Sequence, residues 1–403
     1  MLNKSADVAM ENKPNAATDL TIVADSNIAS LSEFFNNDTL SGTTGRRVRM
    51  IKVAGRDIDA QLLADTQPNV LLIRSVTHVN ADLLKDNDSV RFVGSATIGT
   101  DHVDQDYLAA RRIHFANAAG CSKHSVAQYV LSAILTLRPE YWQRSSTPPT
   151  LGIIGLGNIG STLAQYASSL GWQVLGYDPL LPASSLNNAS FAQVIEKSDV
   201  VSLHVPLTDK SSATSVAGST YHHNHASRVS HSSHASEYPT RHLIDKNALD
   251  AMPASTLLIN SARGPVIDAA ALQADIERTG RQVVLDVFEH EPQIEEALLS
   301  KLAIATPHIA GYTLEGKLRG TQMIYDALCE KLSISPAQSM HQLLPLNMFL
   351  WSELQAHPDR LVKFYDIMQD DKALRATLAE GQVKAAAFDQ LRRDYHLRRE
   401  WQF

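Results

Sequence analysis

The sequence predicts an α/β fold: two doubly wound (Rossmann-like) parallel-sheet domains with a cleft between them, followed by a small α-rich C-terminal domain. Three observations lead to this prediction. Short apolar runs alternate with amphipathic stretches over most of the 403 residues, as in βαβ units whose strands are buried on both faces. This rhythm stops at the polar segment 143–150 and restarts after it. Residues 333–403 differ again, with dense charges and no glycine-rich strand ends.

The two main domains follow from where the rhythm breaks. The first spans 20–124, and a helix after Gly311, within 309–332, is predicted to return the chain to it. The second spans 125–308 and contains six strand-like runs with helices between them, which make a complete doubly wound unit. In the first domain, strands are predicted at 20–25, 69–75 and 90–96, and helices at 80–85 and 103–112.

The composition is that of an ordinary globular protein, with 44% hydrophobic and 20% charged residues. The net charge of −7 gives no indication of a nucleic-acid or membrane-surface partner, and no apolar run is long enough to span a membrane. Residues 1–19 lack a continuous hydrophobic core, so we expect a disordered extension rather than a secretory signal. Two cysteines, Cys121 and Cys329, fit a reducing compartment, and we expect a cytoplasmic location.

One insert interrupts the second domain. Residues 211–242 are rich in serine and histidine and show no apolar periodicity. Such a tract can indicate metal binding, but its histidine spacings match no closed tetrahedral site. We therefore expect an exposed, poorly ordered loop and no metal site. The histidines concerned are His222, His223, His225, His231, His234 and His242.

The segment GLGNIG predicts a dinucleotide site. A strand-like run leads into Gly155, Gly157 and Gly160, a helix follows, and the next strand-like run ends in Asp178. In this context the glycines allow a tight turn, a close approach to a pyrophosphate and close helix–strand packing. Asp178 would accept hydrogen bonds from a ribose and repel a 2′-phosphate, which favours NAD over NADP. Within the same turn, Asn158 and Ile159 are further candidate cofactor contacts.

Three chemically active side chains follow successive strand-like runs of the second domain. These are Arg263, Glu291 and His308, and ligands bind at the carboxyl ends of strands in such sheets. A neutral imidazole at His308 can take the hydroxyl proton of a 2-hydroxy acid while hydride leaves C2. Glu291 would orient that ring, and Arg263 would hold the substrate carboxylate. Taken singly, each residue has a plain alternative as a surface charge or an ordinary loop residue.

Four segments resemble those of the D-2-hydroxyacid dehydrogenase family: GIIGLGNIG, INSARGPVID, LDVFEHEP and TPHIAGYT. The resemblance runs from about Leu20 to the end of the chain, apart from the insert. It implies NAD as cofactor, a phosphorylated 2-hydroxy acid as substrate, a lid role for 20–124 with 309–332, and a homodimer formed through 333–403. It also implies Arg263, Glu291 and His308 as catalytic residues, Asp178, Val205, Asp286 and Gly311 as NAD contacts, and Ser75, Thr97 and Tyr312 as substrate contacts.

Two alternatives stay open at this stage. The chain could act on another 2-hydroxy acid, such as phosphoglycerate or hydroxypyruvate, or it could be an NAD-sensing regulator that uses the same fold without catalysis. The residues that would hold a substrate phosphate are also open. Arg74 and the basic C-terminal segment, including Arg399, are the hypotheses that the sequence offers.

Overall fold

The structure is a computed structural model that describes residues 19–41, 47–142, 146–182, 187–210 and 235–403. The predicted disordered extension at 1–19 lies outside the described residues except for Asp19, and so do residues 211–234 of the predicted loop at 211–242. The rest of that loop is described and includes a short strand, Ala235–Ser236. No helix in the described part of the chain is both long and apolar enough to cross a membrane.

The first domain is a five-stranded parallel sheet with helices on both faces. Its strand order is 2-1-3-4-5, so the order reverses at the first strand. The edge strand Val48–Val53, which was not predicted from the sequence, carries two exposed charged residues, Arg49 and Lys52. Its elements are β1 (Leu20–Asp25), α1 (Leu31–Phe34), α2 (Asn37–Leu40), β2 (Val48–Val53), α3 (Ala60–Thr66), β3 (Val70–Ile73), α4 (Ala81–Leu84), β4 (Phe92–Ser95), α5 (Gln105–Ala110) and β5 (His114–Asn117), with a 3₁₀ turn at Gly55–Asp57.

A long helix, α6 (Lys123–Leu137), connects this sheet to the second domain, and a 3₁₀ turn at Pro139–Trp142 follows it. The elements of the second domain are β6 (Thr150–Ile154), α7 (Asn158–Ser169), β7 (Gln173–Tyr177), α8 (Phe191–Lys197), β8 (Val200–Leu203), β9 (Asp209–Lys210), β10 (Ala235–Ser236), α9 (Lys246–Ala251), β11 (Leu257–Asn260), α10 (Ala269–Thr279), β12 (Val283–Leu285), β13 (Ile294–Glu295), α11 (Glu296–Leu299) and β14 (Ile304–Ala305), with a 3₁₀ turn at Gly264–Val266.

Six of these strands form the second parallel sheet, in the order β14-β12-β11-β8-β6-β7. The order reverses at β6, which pairs with β7 on one side and with β8 on the other. In doubly wound sheets this switch point is where a dinucleotide binds, and the glycine-rich turn follows β6 directly. The predicted fold class, with two parallel-sheet units, is confirmed.

After the second sheet the chain returns to the first. Helix α12 (Leu314–Leu332) packs on the first sheet through buried residues that include Leu318, Ile324 and Leu328. Gly94 in β4 allows this close approach, because a Cβ there would lie 3.3 Å from the Cβ of Ile324. The segment between β14 and α12 therefore lies between the two sheets, and it carries His308.

The C-terminal region packs on the second domain rather than forming a separate core. Trp351, Phe364 and Trp401 belong to the same buried cluster as α6 and α7. A short hairpin of this region also pairs antiparallel with β13. Its elements are α13 (Trp351–Ala356), α14 (Leu361–Phe364), α15 (Ile367–Arg375), β15 (Leu378–Ala379), β16 (Gln382–Val383) and α16 (Ala385–Arg393), with 3₁₀ turns at Met340–Gln342 and Pro358–Arg360.

Candidate active site

The glycine-rich turn between β6 and α7 has the shape that a dinucleotide requires. Gly155 has a φ of +94°, and a Cβ there would lie 2.6 Å from the carbonyl oxygen of His204. A Cβ on Gly160 would lie 2.0 Å from the carbonyl oxygen of Gly155, so helix and turn could not pack with any larger residue. By contrast, a Cβ on Gly157 would meet no atom within 4 Å. Gly157 thus leaves open space at the N-terminus of α7, where a pyrophosphate binds to free amides.

Asp178 follows β7 beside this turn. Its Oδ2 accepts a hydrogen bond from the Leu156 amide at 3.1 Å, and its Oδ1 accepts one from the Leu180 amide at 3.0 Å. The carboxylate is fixed but half-exposed, so each oxygen can still accept a hydrogen bond from a ribose hydroxyl. The turn and the acid together fit NAD.

Other candidate cofactor contacts lie around the same turn. The Cγ1 of Val205 is 2.9 Å from the position of a Cβ on Gly155, so Val205 directly faces the turn. The Asn158 side chain contacts Gly120 at the start of α6. Ile159 instead packs partly buried against the core of the second domain, so its contact with a cofactor would be through the backbone.

Arg263 follows β11 and reaches the first domain. Its Nε and Nη2 donate to Oδ2 of Asp101, at 3.0 and 2.9 Å. Burial acts to raise the pKa of Asp101, but the Arg263 charge and hydrogen bonds outweigh it and the pKa is lowered. The next residue, Gly264, allows the Arg263 turn to lie against the segment that leads to Glu291, since a Cβ there would be 1.9 Å from the Phe288 carbonyl oxygen.

His308 and Glu291 form a direct pair between the two sheets. The distance from His308 Nδ1 to Glu291 Oε1 is 2.7 Å. Burial acts to lower the pKa of His308, but the Glu291 charge and hydrogen bond outweigh it, so the pKa is raised. The pKa of Glu291 is lowered in turn, because His308 outweighs the effect of burial. The pair therefore favours a charged imidazole and a charged carboxylate, which suits a group that must accept and return a proton.

Asp286 fixes the segment that carries His308. Its Oδ1 accepts from the Ile309 amide at 2.8 Å and from the Thr306 hydroxyl at 2.6 Å, and its Oδ2 accepts from the Ala310 amide at 2.9 Å. His308 itself has a φ of +57°, a left-handed conformation that costs energy for a residue other than glycine. The buried Asp286 carboxylate compensates by holding both following amides. Its predicted contact with NAD remains a prediction.

Tyr312 lies at the start of α12, beside a lysine. The Nζ of Lys317 is 3.6 Å from the centre of the Tyr312 ring. Burial acts to raise the pKa of Tyr312, but the charges of Lys317, Arg392 and Arg74 lower it to about 7. A Cβ on Gly311 would lie 3.1 Å from Oγ of Ser122, the residue before α6, so a side chain there would crowd this contact.

The two remaining substrate candidates follow strands of the first sheet. Ser75 is exposed after β3, and among the described residues its side chain bonds none of the other candidates. Thr97 follows β4, where its Oγ1 lies 2.8 Å from Oγ of Ser95. Ser95 Oγ in turn lies 3.2 Å from Nε2 of His102. Burial of this imidazole lowers the pKa of His102 to about 4.

Two residues near the site, Asp101 and Lys317, did not emerge from the sequence, and Arg392 and Arg398 were predicted only as unnamed members of the basic C-terminal segment. Arg398 donates to the carbonyl oxygens of Ile309 and Ala310, directly after His308. The hypothesis that Arg399 holds a phosphate is not supported, because its Nε is 2.7 Å from Glu315 and its other nitrogens donate to carbonyl oxygens. The helical spacing of apolar residues in this segment could have distinguished Arg392, which lies on a helix that ends at Arg393, from Arg399, which lies beyond it.

Five of the six histidines considered for metal binding lie outside the described residues, and only His242 and the two cysteines can be placed. Among the described residues, no group of three or more His, Cys, Asp or Glu could hold a metal ion. Of the histidines in the insert, only His242 is described, and its Nε2 lies 2.6 Å from Oε1 of Glu289. Burial raises the pKa of the Cys121 thiol to about 11, so this cysteine is a buried and unreactive group.

The sequence is similar to a known family of dehydrogenases and to individual members of it. Residues 28–340 match the model for the D-isomer specific 2-hydroxyacid dehydrogenase catalytic domain, and residues 352–403 match a domain of unknown function. An erythronate-4-phosphate dehydrogenase of Psychrobacter arcticus is 72% identical over 95% of this chain and 99% of its own. The protein of the same name from Acinetobacter baylyi is 46% identical over 95% of this chain and 98% of its own.

Solved structures show the same fold at low identity. An NAD⁺-bound 3-phosphoglycerate dehydrogenase of Entamoeba histolytica has a TM-score of 0.60 and 19% identity, covering 78% of this chain and 96% of its own. A D-lactate dehydrogenase of Aquifex aeolicus, complexed with NAD and lactic acid, has a TM-score of 0.55 and 22% identity, covering 77% and 95%. The chain belongs to the D-isomer specific 2-hydroxyacid dehydrogenase family and is an NAD-dependent oxidoreductase.

Proposed function

We propose that the chain oxidises 4-phospho-D-erythronate at C2 to 3-hydroxy-2-oxo-4-phosphooxybutanoate, a step of pyridoxal 5′-phosphate (vitamin B6) biosynthesis. The observation that carries the reaction type is the 2.7 Å contact of His308 with Glu291, in a fold whose glycine turn fits NAD. Support for the substrate comes from the name of the relative that is 72% identical over nearly the whole of both chains.

In this proposal the proton leaves the C2 hydroxyl oxygen and the hydride leaves C2 itself, so the two take different routes. Because Nδ1 of His308 is held by Glu291, Nε2 is the nitrogen that faces the C2 hydroxyl and takes its proton. Arg263 holds the substrate carboxylate through a paired, charge-assisted contact. NAD, when bound, accepts the hydride. Its contacts are Gly155, Gly157, Asn158, Ile159, Gly160, Asp178, Val205, Asp286 and Gly311.

Substrate access requires the two sheets to move relative to each other. We propose that 20–124, completed by 309–332, closes as a lid over 125–308. The contact of Arg263 with Asp101 joins these two parts, so a substrate carboxylate has to replace Asp101 on the arginine. Ser75 and Thr97 follow strands of the first sheet, and Tyr312 directly precedes α12. All three are proposed to contact the substrate.

We also propose a cytoplasmic homodimer. Support for the dimer is the group of large apolar side chains exposed on the C-terminal region, since exposed apolar patches commonly mark interfaces. Support for the location is that both cysteines are free thiols. The exposed residues are Leu346, Met348, Leu350, Val362 and Phe403.

Steady-state assays with purified protein and NAD test the substrate. We expect kcat/KM for 4-phospho-D-erythronate to exceed that for 3-phosphoglycerate and hydroxypyruvate by at least about 100-fold, since a site built around polar partners discriminates strongly. Turnover of phosphoglycerate or hydroxypyruvate alone would show that the substrate is wrong. NAD binding without turnover of any 2-hydroxy acid would instead indicate a regulator.

A further inference from the structure

Two cationic side chains, Lys317 and Arg392, lie over the Tyr312 ring, and a third, Arg74, acts on its hydroxyl electrostatically. The proposed reaction gives none of the three a role. The Nζ of Lys317 lies 3.6 Å from the Tyr312 ring centre, and the guanidinium carbon of Arg392 lies 5.9 Å from it. The charge of Arg74 also acts on the Tyr312 hydroxyl, as does that of His308. The cationic cluster of Lys317, Arg392 and Arg74 therefore lies next to the His308–Glu291 pair.

These cations come from three distant parts of the chain. Arg74 follows β3 in the first domain, Lys317 lies in the first turn of α12, and Arg392 lies in the last turn of α16. Arg392 acts electrostatically on both His308 and Glu291. The C-terminal region thus supplies a charge to the active site of the same chain.

The cluster is poorly neutralised by the protein. Among the described residues, neither Lys317 nor Arg74 forms a salt bridge, and Arg392 is 4.0 Å from Asp389. Asp389 itself is 2.9 Å from Arg56. The Nε of Arg392 is buried and has no hydrogen-bond partner in the structure, which is unfavourable unless a ligand supplies one.

The neighbouring arginines contrast with this cluster. Arg319 pairs with Glu400 at 2.8 Å, Arg399 pairs with Glu315 at 2.7 Å, and Arg398 donates to backbone carbonyl oxygens. The donors of these three arginines are used within the protein. Arg392 instead bonds Tyr312 and leaves its Nε unpaired, and among the described residues Lys317 and Arg74 form no salt bridge. Like charges repel, so bringing three cations together is favourable only when an anion binds between them.

We propose that Arg392, Lys317 and Arg74 form the binding site for the phosphate group of the substrate, with Arg392 supplied by the C-terminal region. This inference rests on the proposed function, because a phosphorylated 2-hydroxy acid is the ligand. In the proposed reaction Arg263 binds the substrate carboxylate and His308 contacts the C2 hydroxyl. The phosphate lies at the other end of the substrate and needs a separate binding site. An arginine fork and a lysine are the side chains that bind phosphate best.

The charge state of Lys317 agrees with this arrangement. Burial lowers the pKa of Lys317 to about 8, with Arg74 and Arg392 adding to the effect and Tyr312 opposing it. A phosphate dianion would favour the charged lysine and so strengthen its own binding. Residue 392 lies outside the general family match at 28–340 and inside the match at 352–403. The C-terminal region therefore adds specificity to a general fold.

The test compares Arg392→Ala and Lys317→Met with Arg393→Ala, an exposed arginine at the next position. We expect each of the first two variants to raise KM for 4-phospho-D-erythronate by about 10²-fold, as expected when one partner of a charged contact is removed. Arg392 also acts on the pKa of His308, so the rates are compared on the high-pH plateau, where the base is neutral in every variant. There kcat should change less than about threefold, and kcat/KM should fall far less for unphosphorylated D-erythronate than for the phosphorylated substrate. Arg392→Lys should recover part of the loss, and Arg393→Ala should match the wild type.

An equal loss of kcat/KM for both substrates, or an unchanged KM, would overturn the proposal. A binding measurement distinguishes failure of the proposed phosphate site from failure of the proposed function. Inorganic phosphate is titrated into the NAD-loaded wild type and Arg392→Ala in a calorimeter. Weaker phosphate binding by Arg392→Ala supports the site even if phosphoerythronate proves not to be turned over. Equal binding by the two proteins contradicts it.

Discussion

Arg263 is bound to Asp101 across the cleft, with its Nε and Nη2 at 3.0 and 2.9 Å from the same carboxylate oxygen. The two residues belong to different sheets, so the contact holds the cleft in one arrangement. Both side chains are about one-third exposed, at 32% and 42%. An exposed ion pair of this kind contributes little to stability, and its significance lies in competition with the substrate carboxylate.

Asp101→Asn tests that competition. Removing the carboxylate charge leaves Arg263 free for the substrate, so we expect KM to fall by about threefold to tenfold, equivalent to about 1 kcal/mol. The free energy of unfolding should change by less than about 1 kcal/mol, as for other exposed pairs. Steady-state kinetics and urea denaturation measure the two effects. A rise in KM would show that Asp101 instead orients Arg263 for binding.

Glu291→Gln should move the pH dependence of the oxidation. The base must be neutral, so kcat/KM of the wild type falls as the pH drops through the raised pKa of His308. Without the Glu291 charge, burial lowers the pKa of His308. The midpoint of the acid limb therefore shifts to lower pH, while the plateau at high pH falls because the ring is less well oriented. A midpoint that stays in place would contradict the role given to Glu291.

Asp178→Ala should weaken NAD binding by about tenfold, because charge-assisted hydrogen bonds to the ribose are lost. The preference for NAD over NADP should decrease at the same time, since the repulsion of a 2′-phosphate is removed. Cofactor titration followed by fluorescence measures both. Glu196→Ala, at an exposed position of α8, is the control and should bind both cofactors like the wild type.

Arg398→Met should destabilise the protein. The guanidinium donates to the carbonyl oxygens of Ser125, Ile309 and Ala310, which would lose their partner. We expect the free energy of unfolding to fall by about 2–3 kcal/mol. The exposed Arg393→Met is the matched control and should fall by less than about 0.5 kcal/mol. Equal losses in the two variants would remove Arg398 from this role.

Much of the fold could be predicted from sequence, because buried parallel strands are continuous apolar runs. The edge strand β2 was missed, since Arg49 and Lys52 interrupt its apolar run and leave neither a continuous apolar stretch nor a regular alternation. The C-terminal region was predicted as a separate module, but Trp401 and Phe364 complete the core of the second domain. Such a contact joins residues distant in sequence and leaves no periodic pattern.

The residues of the candidate site could be predicted where they belong to a local sequence motif. Strand ends and glycine spacing indicated Gly157, Asp178 and His308. Asp101 and Lys317 could not be found in this way, and Arg392 only as one of several arginines in a basic segment, because their importance comes from distances across domains rather than from local sequence. The structure also assigns Asp286 a position under the His308 segment, which its place after a strand did not reveal.

The central claim is that His308, held by Glu291, is the base of an NAD-dependent dehydrogenase. The most direct test is the single-turnover rate of NADH formation from 4-phospho-D-erythronate by His308→Asn, with NAD binding measured on the same preparation. We predict a rate lower by about 10²–10⁴-fold, the usual contribution of general acid–base catalysis, with NAD affinity unchanged. A variant that binds NAD and forms NADH at the wild-type rate would contradict the account.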